Sequence, residues 1–147
     1  MQQLLQLADE LGLDVIEKRG RHLGGYHHPS STVRPEPHMP RRVARSVLAH
    51  EIAHAVFHDQ PAAHGPARAK QERRANEWAA LRLITPEAFA DVERHRGGHS
   101  PSMAHDLAVT TELVDAYKSL LLRLGDVTYL RARLGAGQWD HRTVHAT

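Results

Sequence analysis

The sequence predicts an α+β fold: a mostly helical domain with an N-terminal helix, a small antiparallel sheet of about three strands and a C-terminal helical part. Three observations support this. The chain has 147 residues, 41% of them hydrophobic and 24% charged, the balance of one ordinary globular domain with a core. Short segments with strand-like alternation fill residues 13–35. From Pro40 onward the apolar residues recur every three or four positions, as in helices.

The N-terminal elements follow from spacing and from turn residues. Leucines at helical spacing precede Gly12, a typical helix C-cap, so we predict a helix over residues 2–12. Gly20 and the Gly24-Gly25 pair separate the strand-like segments, and Pro35 ends them. The predicted strands are residues 13–19, 23–28 and 32–34.

Apolar periodicity and end signals define the helices after Pro40. Thr85 supplies an N-cap, Pro86 a first-turn proline and Glu87 an acidic first turn, and Gly97 closes the helix that they begin. The predicted helices are residues 41–58, 67–84, the segment from Pro86 to Gly97, 100–108, 111–124, and a last short one at 126–134.

Composition narrows the class of protein. No run of 18 apolar residues occurs, so no membrane span is predicted, and the N-terminus has no secretory signal, so a cytoplasmic protein is expected. The chain has no cysteine, so any metal must be held by nitrogen and oxygen. A net charge of +2 is too mild to indicate nucleic-acid binding. The chain has 13 histidines, and a histidine at the right spacing can bind a metal or transfer a proton.

Two histidines are placed by an H-E-x-x-H motif at residues 50–54, within a predicted helix. Residues four apart lie one turn apart on one helix face, so His50 and His54 can bind the same zinc ion. Glu51 points roughly 100° away from His50 and is therefore a poor third ligand. It can instead reach a metal-bound water as general base.

A third ligand is expected on the next helix. Glu72 heads a stripe of small and apolar residues that is suited to packing against another helix, where a carboxylate needs a partner. Asn76, one turn later, is placed to orient a ligand histidine through its second nitrogen. The other candidates are less suitable. His58 is too far along the helix that carries the H-E-x-x-H motif, His64 lies in a Pro/Gly loop, and Glu77 is on the solvated side of its helix.

The sequence L-A-H-E-I-A-H at residues 48–54, with E-x-x-A-N-x-x-A-A-x-x-L-I-x-P at residues 72–86, resembles the ImmA/IrrE-type zinc metallopeptidases. The resemblance implies that His50, His54 and Glu72 bind Zn²⁺ and that Glu51 is the catalytic base. The sequence departs from the family pattern in two places: Ile84-Thr85-Pro86 replaces the usual Leu-Met-Pro, and Trp78 replaces a common Phe. Neither is a proposed ligand.

The resemblance further implies a zincin-like fold and regulated proteolysis, commonly of a helix–turn–helix repressor of a phage or mobile element. The sheet would then align an extended substrate strand, and Tyr26 either packs beside the sheet, which we favour, or polarises the scissile carbonyl. Two other functions stay open: an anti-repressor that binds its partner regulator without cutting it, and a DNA-binding regulator with a structural metal.

The C-terminal part contains a competing signal for DNA binding. The pattern at residues 103–122 predicts a helix, a tight turn and a second helix, and this arrangement resembles a helix–turn–helix. Glu112 and Asp115 on the second helix are unfavourable for phosphates, so we expect no direct DNA binding.

No linker divides the chain, which predicts one domain over residues 1–137. Within it we expect a catalytic core at 1–98 and the helix–turn–helix-like subregion at 99–137, with a polar tail at 138–147.

Overall fold

A computed structural model describes residues 1–60 and 65–125 of the chain. By its internal contacts the chain divides into two compact units, the first covering residues 1–79 and the second beginning at Ala80. No helix within the two described stretches is both long enough and apolar enough to cross a membrane. The prediction of one domain over residues 1–137 stays a prediction. The predicted helix at 126–134 and the tail at 138–147 lie outside the described residues.

The first unit begins with helix α1 (Gln2–Glu10), which contacts strand β1 (Asp14–Val15) and helix α2 (Arg41–Val56). The helix ends earlier than predicted, and Gly12 adopts a positive φ of 73°. Helix α2 also contacts strands β2 (Tyr26–His27) and β3 (Thr32–Val33). The core of this unit is made of small and branched apolar side chains, and helix α2 supplies more of them than any other helix of the unit. The fully or nearly fully buried ones are Leu4, Ala8, Val33, Leu48, Ala49, Ile52, Ala53, Ala75 and Ala79.

The three strands form a mixed sheet in the order β1-β3-β2, so the expectation of an antiparallel sheet was wrong in one pairing. Strands β2 and β3 are antiparallel, joined by a four-residue turn, but β1 runs parallel to β3. A parallel pair requires a long crossover connection, and residues 16–31 supply it by carrying the chain through β2 before it returns to β3. The strands are also shorter than predicted. The α+β fold class itself is confirmed, with six helices and this sheet among the described residues.

Helix α3 (Gly65–Leu83) starts in the first unit and, like α2, agrees with its predicted range to within two residues at each end. The backbone after α2 turns sharply because His58 takes a positive φ of 55°. Residues 61–64, which include the candidate ligand His64, lie outside the described part of the chain.

The second unit contains helices α4 (Pro86–Arg96), α5 (Ser100–Leu107) and α6 (Thr111–Gly125). The predicted signals of α4 are present: Thr85 Oγ1 accepts a hydrogen bond from the amide of Ala88, and Gly97 is left-handed. Helix α5 packs against both of its neighbours in this unit. Phe89 and Tyr117 stack at 4.6 Å between ring centroids. The large core side chains are Phe89, Met103, Val109, Leu113, Val114 and Tyr117.

The predicted helix–turn–helix-like segment corresponds to α5 and α6. Ala108, in the turn between them, adopts a left-handed conformation. The single lysine of α6, Lys118, donates to the Gly98 carbonyl at 2.5 Å and to Ser100 Oγ at 2.7 Å. Its ammonium is therefore engaged within the unit.

Candidate metal site

Two imidazoles of α2 meet at one point, as the H-E-x-x-H spacing predicts. Nε2 of His50 and Nε2 of His54 lie 3.1 Å apart, and their rings meet edge to face at 4.7 Å between centroids. Both side chains are largely buried, with exposed fractions of 16% for His50 and 12% for His54. One helical turn separates the two residues, so a regular helix is sufficient to bring them together.

Glu72 on α3 completes a cluster of three, hereafter the His-His-Glu cluster (His50, His54 and Glu72). One carboxylate oxygen lies 3.4 Å from Nε2 of His50 and the other 2.9 Å from Nε2 of His54. Within residues 1–60 and 65–125, it is the only group of three or more His, Cys, Asp or Glu residues whose donor atoms all lie within 4.8 Å of one another, close enough to hold a metal ion. The structure thus brings together the three residues that the sequence proposed as ligands.

The spacing of these atoms fits a tetrahedral zinc ion. Ligand bonds of about 2.0–2.1 Å at tetrahedral angles place two donor atoms roughly 3.3 Å apart. The three separations in the His-His-Glu cluster, 2.9, 3.1 and 3.4 Å, lie close to that value. Two imidazole nitrogens and one carboxylate leave a fourth position open, which is typical of catalytic rather than structural zinc.

The second nitrogen of each imidazole is held by a separate side chain. Nδ1 of His50 donates to Oδ1 of Asn76 at 2.7 Å, as the sequence predicted for Asn76. Nδ1 of His54 donates to Oδ2 of Asp59 at 2.9 Å. With both Nδ1 atoms acting as donors, both Nε2 lone pairs face the centre of the cluster, where they need a shared cation or a proton.

Asp59 is a residue that the sequence analysis missed. It is buried, with 8% of its surface exposed, and its other oxygen pairs with Arg74 of α3 at 2.5 Å. The Arg74 guanidinium also lies over the Phe57 ring, 4.2 Å from its centroid. A carboxylate five residues after His54 was visible in the sequence. Its contact with His54 depends on the sharp turn at His58, for which the sequence had no clear signal.

The electrostatics of the cluster show that it favours positive charge. Burial lowers the pKa of His54, but hydrogen bonds to Glu72 and Asp59 outweigh that effect and raise it to about 9. Hydrogen bonds from His50 and His54 hold the pKa of Glu72 far below its ordinary value. A site that binds a proton this firmly when metal-free presents the charge distribution that a divalent cation would also find favourable.

Glu51, the predicted base, is buried on the same helix, with 8% of its surface exposed. Burial raises the pKa of this carboxyl, while the neighbouring His50 and His54 and the Arg34 guanidinium oppose the rise. Glu51 is not a member of the His-His-Glu cluster. Glu51 therefore lies next in sequence to His50 without being one of the three residues that could hold a metal, in line with the helical spacing.

The remaining candidates lie elsewhere. His58 sits beyond the end of α2 with its ring edge-on to His28, at 5.9 Å, and Glu77 is not part of the cluster. Tyr26 is on β2, an edge strand, and its hydroxyl is 2.9 Å from Nδ1 of His28.

Comparison with known proteins agrees with this geometry. Residues 3–117 match the Peptidase M78 family, described as the IrrE N-terminal-like domain. The chain therefore belongs to this family of metallopeptidases, and its His-His-Glu cluster is a site at which a metal could bind. Searches of curated proteins and of solved structures found no significant match.

Proposed function

We propose that this chain is a zinc-dependent endopeptidase of the H-E-x-x-H type, acting in the cytoplasm on a regulatory protein. The observation that carries the proposal is the convergence of two Nε2 atoms and the Glu72 carboxylate, with the buried Glu51 one residue from a ligand. Membership of the metallopeptidase family supports the same chemistry. Zinc rather than another metal is supported by the His₂Glu donor set.

His50, His54 and Glu72 would hold the ion. Zinc bound there would supply Lewis acidity, polarising the scissile carbonyl and lowering the pKa of water toward about 7. Asn76 and Asp59 fix the two imidazoles by accepting from their Nδ1 atoms, so that the Nε2 lone pairs stay directed inward.

Glu51 performs the proton transfers. It takes a proton from water as the water oxygen attacks the peptide carbonyl carbon, and returns that proton to the amine nitrogen as the C–N bond breaks. Its buried setting raises its pKa, which brings this carboxylate closer to the range in which a base can both accept and release a proton.

The substrate we propose is a helix–turn–helix repressor of a phage or mobile element, engaged through an extended segment. Strand β2 is at one edge of the sheet and begins two residues after Gly24, which lies close to Glu51. An extended peptide that pairs with this edge would run past the catalytic carboxylate.

The test begins with metal content and ends with cleavage. The purified protein should contain about one zinc per chain, which His50→Ala and Glu72→Ala should each abolish while the helical circular dichroism persists. Glu51→Gln should keep the zinc but abolish cleavage of the helix–turn–helix repressor encoded nearest its own gene, in a co-expression assay. His105→Ala, at an exposed histidine of α5, is the control and should retain both properties.

Two results would contradict the proposal. A folded, metal-free protein after purification in zinc-containing buffer would exclude the zinc site. Equal relief of repression by the parent and by Glu51→Gln, with the repressor intact, would instead support an anti-repressor that binds without cutting.

A further inference from the structure

Glu51 is in close contact with a loop of the sheet. The backbone of Gly24, just before β2, passes the Glu51 side chain so closely that a Cβ atom at Gly24 would lie 2.7 Å from Oε1 and 2.9 Å from Cγ. The same Cβ would lie 2.6 Å from Cγ1 of Val47, one turn earlier on α2. The position of the Glu51 carboxylate thus depends on the absence of a side chain at Gly24.

The loop is held in this place by the Arg34 side chain. Its guanidinium donates to the carbonyl oxygens of Lys18 and His22, the second at 2.7 Å, and a Cβ at Gly20 would collide with it. The loop is therefore wrapped around a fixed cation.

Main-chain hydrogen bonds complete the attachment. The amide of Arg34 donates to the Gly25 carbonyl at 2.7 Å and that of Glu36 to the Leu23 carbonyl at 2.8 Å. Residues 23 and 25, on both sides of Gly24, are thus tied to the chain that follows β3. A loop so anchored cannot easily move aside to make room for a new side chain.

We propose that Gly24 is a positioning residue for Glu51: its bare Cα forms the wall against which the catalytic carboxylate rests, in a loop anchored by Arg34. The proposal rests on the proposed function, because Glu51 is a base only if the chain is a peptidase. Gly24 lies on the sheet side of the site, outside both sequence motifs.

The contact predicts which side chain a substitution at Gly24 would displace. Neither Gly24 nor Gly25 has a positive φ, so alanine fits the backbone at both positions. At Gly24 the overlapping atoms are Cγ1 of Val47 and Oε1 and Cγ of Glu51. The β-branched valine is stiff and the Glu51 side chain is flexible, so we expect the Glu51 carboxylate to shift. At Gly25 the added Cβ would come no closer than 3.6 Å to its nearest neighbour, Nε of Arg34, so Gly25→Ala is the matched control.

The kinetic experiment compares the two variants as zinc-loaded full-length protein. The probe is the peptide that the parent cleaves fastest in a quenched-fluorescent library. We expect Gly24→Ala to lower kcat by about 30- to 100-fold, the effect of misplacing a catalytic group by about 1 Å, with KM changed less than about 3-fold. Zinc affinity, measured by chelator competition, should stay within about 3-fold of the parent. Gly25→Ala should resemble the parent in all three quantities.

A second measurement is independent of activity and of metal. Gly24→Ala should lower the melting temperature of the metal-free parent by a few degrees, and by a smaller amount in a Glu51→Ala background, because the overlap with the Glu51 side chain is gone. Val47 accounts for the cost that remains. Equal shifts in both backgrounds would overturn the proposal.

The two proposals fail in different ways. If Glu51→Gln abolishes cleavage but Gly24→Ala behaves like Gly25→Ala, the positioning role is wrong and the peptidase function stands. If the parent cleaves neither a peptide nor a repressor, the peptidase function fails, and the role of Gly24 in positioning a catalytic base fails with it. The melting temperatures still decide whether Gly24 constrains Glu51.

Discussion

Nδ1 of His54 donates a hydrogen bond to Oδ2 of Asp59, 2.9 Å away and five residues further along the chain. The turn at His58 allows this contact, since it reverses the backbone beyond α2 and returns the carboxylate to the helix. The other oxygen of Asp59 pairs with Arg74 of α3. One buried carboxylate therefore connects a proposed ligand on α2 with the helix that carries Glu72.

Asp59→Asn should weaken zinc binding by about 10- to 100-fold, the usual effect of losing the carboxylate behind a ligand histidine. The amide keeps the size of the side chain but removes the charge that orients His54 and neutralises Arg74. Chelator competition measures the affinity. Asp91→Asn, at an exposed carboxylate of α4, is the control and should leave zinc affinity unchanged. Equal affinities for the parent and Asp59→Asn would show that this hydrogen bond does not support the metal site.

Asn76→Ala should also weaken zinc binding by about 10-fold or more, because Nδ1 of His50 loses its acceptor. Asn76→Asp should bind zinc at least as tightly as the parent, since a carboxylate accepts the same hydrogen bond more strongly. Gln71→Ala removes an amide on the same helix whose Nε2 donates to the Gln60 carbonyl, and serves as the control. A weaker Asn76→Asp protein would contradict this orienting role.

The metal-free protein should be most strongly stabilised by the His54–Glu72 pair between about pH 4.5 and 6.5. His54 has a raised pKa of about 9, so its contribution is complete below its ordinary value of 6.5 and disappears as the pH rises through 9. Glu72 has a lowered pKa, so its contribution is complete above its ordinary value of 4.5 and declines as the pH falls below it.

The measurement is the difference in melting temperature between the metal-free parent and His54→Ala, recorded at pH 5.5 and at pH 9.5 with a chelator present. The packing lost with the imidazole is the same at both values, so the change reports the charge interaction. We expect a smaller difference at pH 9.5. A difference that is constant or larger at pH 9.5 would contradict the raised pKa.

Phe89→Ala should lower the free energy of unfolding by about 3–5 kcal/mol, since Phe89 is fully buried and packs on Tyr117. Denaturant titration followed by circular dichroism measures it. Leu122→Ala removes a side chain from α6 that is 72% exposed and should change stability by less than about 0.5 kcal/mol. Similar losses in the two variants would mean that Phe89 is not a core residue of this unit.

Helices were predicted with more success than strands, for a physical reason. A helix closes its hydrogen bonds within four residues, so the spacing of His50 and His54 and the cap at Thr85 could be recognised locally. A strand depends on its partner. The alternation at residues 13–19 could not show that only Asp14 and Val15 would pair regularly with β3, or that the pairing would be parallel.

What the sequence by itself determined is the local chemistry: two imidazoles on one helix face, Glu51 turned away from them, and a carboxylate and an amide one turn apart on a second helix. Tertiary structure decided what surrounds them. Asp59 reaches His54 through a backbone turn, and Gly24 reaches Glu51 through a loop wrapped around Arg34. Both contacts join residues whose proximity depends on loop conformation, and hydrophobic periodicity carries no information about loop paths.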